Sequence, residues 1–226
     1  MEGGESSVNE PSSAELDRGA LVTLLTTEHF TLQGSRASTI SESSSRAALY
    51  VGALSSSLIA LGFLGQASEF DTAFYIFALV VLPTVYLLGL FTHVRVVQSS
   101  IEDIFYGRAI NRIRGVYRQL VGSEARYFLL GGHDDVYGVL ANMGLGKPSR
   151  WQLYLTLGTM VAVVNSVVGG TTVALAVGVL GASLVVSVLT GGVALVASLA
   201  FHSLIQRRTH DSSREAEEPM FPSDGS

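Results

Sequence analysis

The amino-acid sequence predicts an all-α protein with four transmembrane helices and cytoplasmic amphipathic helices. Three observations carry that expectation. Only 15% of the 226 residues are charged, against about 25% in an ordinary soluble domain, and mean hydropathy is +0.41. Residues 47–67 and 73–94 are apolar stretches about one bilayer long. Residues 153–205 then run for 53 positions without a charged side chain. As one helix that run would be roughly 80 Å long against a hydrocarbon core of about 30 Å, so it has to fold back.

Residues 1–11 read as an acidic, disordered tail. The first fifteen residues hold acids and no base, so no cleavable secretory signal is expected; the first span itself directs insertion. Residues 12–46 form a cytoplasmic N-terminal helix. Ser12 and Glu15 have capping-box spacing, and Leu16, Ala20 and Leu24 give an apolar face with Leu21 and Leu25. The polar stretch RASTISESSSR, 36–46, lacks proline and can extend the first span into water, with Glu42 and Arg46 in the favourable i,i+4 order.

The first span, 47–67, is joined by an external loop, 68–72, to the second, 73–94. Pro83 lies mid-span, where a kink is expected. This span is rich in Phe, Tyr, Ile and Leu and poor in small residues, which places it at the lipid-facing rim of the bundle. A cytoplasmic basic helical region, 95–150, follows. The apolar run then supplies a third span, 151–178, a short external turn, 179–183, and a fourth span, 184–206. Residues 207–226 read as a disordered cytoplasmic tail.

The position of that turn is a choice among three. A break at GVLGAS, 178–183, leaves halves of roughly 25 and 22 residues, both long enough to cross. A break at GGTT, 169–172, leaves about 16 and 33, which is poor. Breaks at both GGTT and Thr190-Gly191-Gly192 leave three short pieces. Basic residues arbitrate, because cytoplasmic flanks are enriched in Lys and Arg. Arg36 and Arg46 precede the first span, eight bases lie between 95 and 150, and Arg207 and Arg208 follow the last span. Two crossings in the long run put all of them on one side, with both termini cytoplasmic in the plasma membrane.

GGTT then lies inside the third span, where small residues serve as contacts. Gly158, Ala162, Ser166, Gly170, Ala174, Gly178 and Ala182 recur at every fourth position; Ala48, Gly52, Ser56 and Ala60 repeat the habit in the first span, and Ser183, Ser187 and Gly191 in the fourth. Small residues four apart let helix backbones approach. A four-residue step drifts about 40° per repeat, so the stripe winds and meets different neighbours at different depths.

Few residues could carry chemistry. There is no cysteine, which excludes disulfides, thiolate metal sites and cysteine nucleophiles. No span contains Asp, Glu, Lys or Arg, which argues against an ion-coupled transporter. Asn165 is the most polar residue deep in a span and needs a partner; with Ser166 and Ser56 it forms the candidate set of intramembrane polar contacts. His202 reads as an interface residue rather than a proton relay. In the cytoplasmic region Arg108, Arg112, Arg114 and Arg118 charge an amphipathic helix that continues the second span, and are candidates for anionic-lipid contact. Interspersed acids and the lack of a stacking platform argue against nucleic acid. His133-Asp134-Asp135 holds metal-ligand residue types, but three consecutive residues rarely converge on one ion. It reads as a loop and the cap of a short helix over 134–143. Glu102-Asp103 reads as surface charge, and Lys147 to Trp151 as re-entry into the membrane. No catalytic set, metal or cofactor is implied.

The segments LTTEHFTLQGSRAST, IEDIFYGRAINRIR, HDDVYGVLANMG and MVAVVNSVVGG, spread over residues 21–170, resemble a group of small actinobacterial-type multi-pass membrane proteins to which no activity is assigned. The resemblance therefore implies an architecture and no functional residues. By layout alone the chain also resembles membrane effectors of bacterial conflict systems. The expected function is a non-enzymatic membrane module that, besides the lipid bilayer, meets a second copy of itself or a membrane-protein partner. The alternative is an oligomeric pore or passive channel lined by Asn165 and hydroxyl side chains.

Overall fold

The computed structural model describes residues 18–145, 156–212 and 218–223, and among these it contains no strand. The capping box at Ser12, the acidic tail 1–11 and the re-entry segment around Trp151 lie outside the described residues. Five α-helices appear in the order α1 (Arg18–Ala67), α2 (Thr72–Val121), α3 (Val136–Asn142), α4 (Leu157–Val179) and α5 (Leu184–Ser212), with a short 3-10 turn at Gly122–Tyr127. Four of them are long and apolar enough to cross a membrane. The chain is therefore an all-α, multi-pass membrane protein.

The first two helices are each 50 residues long, about 75 Å, more than twice a hydrocarbon core. No helix breaker interrupts α1, so the polar stretch 36–46 joins the span to the N-terminal helix. α2 runs unbroken through Pro83 and beyond the apolar span. The turn between them is short: Asp71 caps α2 by accepting from the amides of Ala73 and Phe74, and the Phe70 ring closes over Gly65, where a Cβ would sit 2.7 Å from it.

Beyond the spans the two helices stay together as an ion-paired stalk. Arg36 binds Asp103 through two nitrogens, at 2.7 and 3.2 Å, and Arg95 bridges Glu42 and Glu102. Arg95, with Arg46 behind it, holds the Glu42 carboxyl below the ordinary glutamate range. Asp103, expected as surface charge, is thus a strut between helices.

The apolar core joins Ala47 and Tyr50 of α1, Leu82 and Val85 of α2, and Val161 and Val168 of α4. α2 packs against α1, α4 and α5, whereas α1 barely meets α4. This corrects the expectation that the second span lies at the rim. Its apolar bulk covers only one side; Ala78, Leu82, Val85, Gly89 and His93 give it a buried face at three- and four-residue steps.

The small-residue stripes divide. On α4 the stripe winds as its four-residue step requires. Gly158 faces Val96 and Val97 of α2, and further along Gly170 meets Gly191 and Leu195 of α5. A Cβ on Gly170 would lie 2.8 Å from the Gly191 carbonyl, so the two backbones are in contact there. GGTT lies inside α4, and the fold-back falls at residues 180–183, where Gly181 takes φ 91°. On α1 the stripe fails as a contact: Ala48, Gly52, Ser56 and Ala60 all face outward. The buried seam is Ser43, Ala47, Tyr50 and Leu61, with Leu54 and Ser57 half-buried between. Alternating steps of three and four keep to one face of a helix, whereas a strict step of four leaves it.

Candidate functional site

The candidate site begins with a glycine. Gly89, in the membrane-spanning half of α2, faces Asn165 of α4 and Tyr50 of α1, and a Cβ there would collide with the Asn165 carboxamide and lie 2.7 Å from the Tyr50 ring. In the notch this leaves, Asn165 is 0% exposed. Its Oδ1 accepts from the Tyr50 hydroxyl at 3.2 Å, and its Nδ2 donates to His202 Nε2 of α5 at 3.2 Å. One side chain thus touches all four long helices.

The hydrogen bonds propagate from there. His202 Nδ1 lies 2.7 Å from the Ser198 carbonyl one turn back, so that nitrogen carries the proton and Nε2 is left to accept from Asn165. The Ser198 hydroxyl is 3.0 Å from the Tyr86 hydroxyl of α2, and the Tyr86 ring lies over Gly169. His93 of α2 packs edge-on to the His202 ring at 4.7 Å, with Nδ1 3.0 Å from the Gly158 carbonyl and Nε2 3.3 Å from the His202 carbonyl. In hydrocarbon these groups have no water to turn to and face protein polar groups instead; of the two carbonyls at His93, a neutral imidazole donates to one, and Gly158 lies nearer.

Chemically this is a clasp. It holds no carboxylate, its histidine nitrogens are engaged, and no group of three or more His, Asp or Glu suited to a metal occurs among the described residues. Of the candidate polar contacts, Asn165 is the centre. Ser166 is buried but turns its hydroxyl to the Ala162 carbonyl of its own helix. Ser56 is not brought to Asn165 and faces outward; Tyr50 occupies the place assigned to it. His202 is fully buried rather than interfacial. Sequence reasoning missed Tyr50, Tyr86, Gly89 and His93. The signal was present: Tyr86, Gly89 and His93 lie three and four residues apart on one face of a span that otherwise reads as lipid-facing.

A second polar centre lies on the lobe beyond the spans. The α2 continuation carries the four arginines, and each has a partner within the chain. Arg108 donates to the Asp134 carbonyl, Arg112 to the Asp134 carboxylate at 2.7 Å, Arg114 to Asn111, and Arg118 to the carbonyls of Ala125 and Phe128. Together with Asn111, which donates to the His133 carbonyl, they brace the loop 122–135 against α2. Asn142 of α3 closes the loop from the other side through both the amide and the carbonyl of Gly131.

That braced loop seats the end of the chain. Residues 218–223, expected to be disordered, lie across it with a bend at Met220 and Phe221, which turns both of their amides to one carboxylate. Met220 and Phe221 donate their amides to the Asp134 carboxylate at 3.0 and 2.7 Å, and the Ser223 amide reaches Asp135 at 2.5 Å. The Asp134 amide returns a bond to the Phe221 carbonyl, His133 Nδ1 donates to that of Pro222, and Arg112 to that of Glu218. The Phe221 ring rests on Gly115, where a Cβ would stand 2.5 Å away. Asp135 also caps α3 through the Gly138 amide, one of the two adjacent aspartates that the sequence offers for that cap. Burial pushes both carboxyls up, but Arg112 and the amides of Phe221 and Met220 outweigh it at Asp134, and Ser223 and the Gly138 amide do so at Asp135. Both are held below the ordinary aspartate range.

No protein-family model, curated protein or solved structure matches this chain.

Two outcomes follow. Asn165→Leu removes two hydrogen bonds worth about 1–2 kcal/mol together. The Tyr50 hydroxyl and His202 Nε2 are what lose a partner, since His202 Nδ1 keeps the Ser198 carbonyl. The variant should lower the detergent-solubilised melting temperature, and Gly89→Ala should do so too by filling the notch. Unchanged melting in both variants would remove the clasp. The tail contact should be acid-labile. A carboxyl held low when docked stabilises docking above the ordinary aspartate range, and that contribution disappears as pH falls through the docked value. A fluorophore on Met220→Cys, in this cysteine-free chain, should be immobile at neutral pH and become mobile in strong acid. In Asp134→Asn it should already be mobile at neutral pH, for a loss of about 2 kcal/mol.

Proposed function

We propose that the chain is a non-enzymatic membrane module that associates through its polar lobe with a second copy of itself or with a membrane-protein partner. The observation that carries this reading is the loop at residues 127–130. Tyr127 is 74% exposed and Leu129 97%, with Phe128 and Leu130 beside them, on a segment outside the spans. Large apolar side chains grouped on a water-facing surface mark an interaction site. The loop beneath them is pinned by Arg118 and Asn142, so the patch is presented at little ordering cost. A photo-crosslinking side chain at Leu129, in the native membrane, should capture protein. A doubled mass identifies a second copy and any other mass a partner. The adduct should be lost when Tyr127→Ser and Leu130→Ser are added. Adducts to lipid alone would overturn the reading.

The alternative, an oligomeric pore, is less well supported. Asn165, Ser166, His93 and His202 are turned into the bundle and bonded there, so a lining would fall to outward hydroxyls such as Ser56, Thr171 and Thr190, set among large apolar side chains such as Phe63, Ile76, Val80 and Val193. The four arginines support lipid-headgroup contact less well than their sequence suggests, since each is spent on the lobe itself.

We infer that the membrane is the plasma membrane and that the lobe and both termini face the cytoplasm. The support is the distribution of Lys and Arg, all of which flank the spans on the lobe side in this topology. Single cysteines at Ser68 and Met220 should label from opposite faces of intact cells and inverted vesicles. Labelling from one face would reverse the inference.

A further inference from the structure

We propose that the seat of residues 218–223 is a peptide-recognition groove. In this proposal the chain's own tail is a displaceable occupant, competing with a segment of a partner protein that takes the same bend and carries an aromatic residue there. The proposal deepens the partner-binding reading and rests on it for the claim that the lobe meets another protein.

The way the tail is held favours exchange over permanent packing. Its hydrogen bonds are mostly main-chain ones: the amides of Met220, Phe221 and Ser223 and the carbonyls of Glu218, Phe221 and Pro222. Of its side chains, Phe221 fills a cleft against Gly115 and Ser223 bears on Asp135, while Met220 points away, 65% exposed. Main-chain bonds for affinity and a shaped pocket for selectivity are how grooves take peptide segments.

The groove's walls do not depend on its occupant. Arg108, Asn111, Asn142 and the α3 cap hold residues 131–138 to α2 and α3 without help from the tail. When the tail leaves, the Asp134 carboxylate, 0% exposed beneath it, keeps Arg112 and exchanges two amide donors for water. A replacement that brings its own N–H groups, as a peptide does, can therefore take the same place. Tethering gives the tail an effective concentration on the order of mM, so an outside peptide competes at a disadvantage until the tail is disabled.

The test uses the full chain in nanodiscs and a fluorescein-labelled peptide, EPMFPS, followed by anisotropy. Phe221→Asp disables the tail without touching the groove, and Met220→Pro does so independently by removing an amide bonded to Asp134. Both variants should bind the peptide at least tenfold more tightly than the unaltered chain. Adding Gly115→Ala to Phe221→Asp should abolish that gain, because the methyl fills the Phe221 seat; alanine is also the better helix former there, so α2 is retained. If neither tail variant takes up more peptide than the unaltered chain, with helicity unchanged, the tail is a fixed part of the fold and the proposal is overturned. A dimer of the unaltered chain that dissociates on Phe221→Asp would assign the groove to a second copy's tail and overturn it as well. Peptide uptake and crosslinking at Leu129 are scored separately, so this inference and the partner-binding reading can fail independently.

Discussion

The fold depends on one requirement: a carboxamide buried in hydrocarbon must have every bond supplied by protein. Asn165 presents an acceptor oxygen and an NH2 group, and Tyr50 bonds the first and His202 one N–H of the second, from helices on opposite sides. That arrangement is possible only because Gly89 withholds a side chain where Asn165 sits. The order of packing follows. α2 has to lie beneath Asn165, so it becomes the centre of the bundle, while α1 and α5 approach from either side. Small residues elsewhere adjust the distances; the α4–α5 contact at Gly170 and Gly191 lets His202 come within reach.

Polarity in the lobe obeys a similar rule for a different reason. Water is available there, yet Arg36, Arg95, Arg112 and Arg118 turn inward to partners in the chain. Exposed ion pairs add little individually, about 0–1 kcal/mol. Bidentate and bridging ones, such as Arg36 with Asp103 and Arg95 with two glutamates, fix the register of long helices that lack an apolar seam. The stalk keeps a single register because its charges are paired across α1 and α2.

Long apolar lengths and charge asymmetry made the four spans legible, and comparing half-lengths located the fold-back. The helical cap at Asp135 and the winding of the α4 stripe were legible for the same reason: each follows from local geometry. What was not legible is which of two plausible faces a helix buries. On α1 the regular four-step of Ala48, Gly52, Ser56 and Ala60 is more conspicuous than the mixed seam of Ser43, Ala47 and Tyr50, yet only the second stays on one side. On α2 the aromatic and aliphatic residues obscured the face bearing Gly89 and His93. The docked tail could not be read at all, since its order comes from carboxylates 86 to 88 positions away, Asp134 and Asp135, which accept from Met220, Phe221 and Ser223.

The two polar centres share a design. Each is a notch on α2 made by a glycine, Gly89 within the span and Gly115 beyond it, and each is filled from the C-terminal part of the chain. Asn165, bonded to His202 and beside the Tyr50 ring, fills the first and Phe221 the second. In each, the group that fills the notch is held by hydrogen bonds rather than by shape alone, which sets its orientation as well as its depth. The difference lies in the solvent each group would meet on leaving. In the membrane, an Asn165 drawn from its notch loses bonds that lipid cannot replace, so the first contact is permanent. Outside it, the amides of Met220 and Phe221 regain water, so the second contact can open and close while the helices that carry it stay in place.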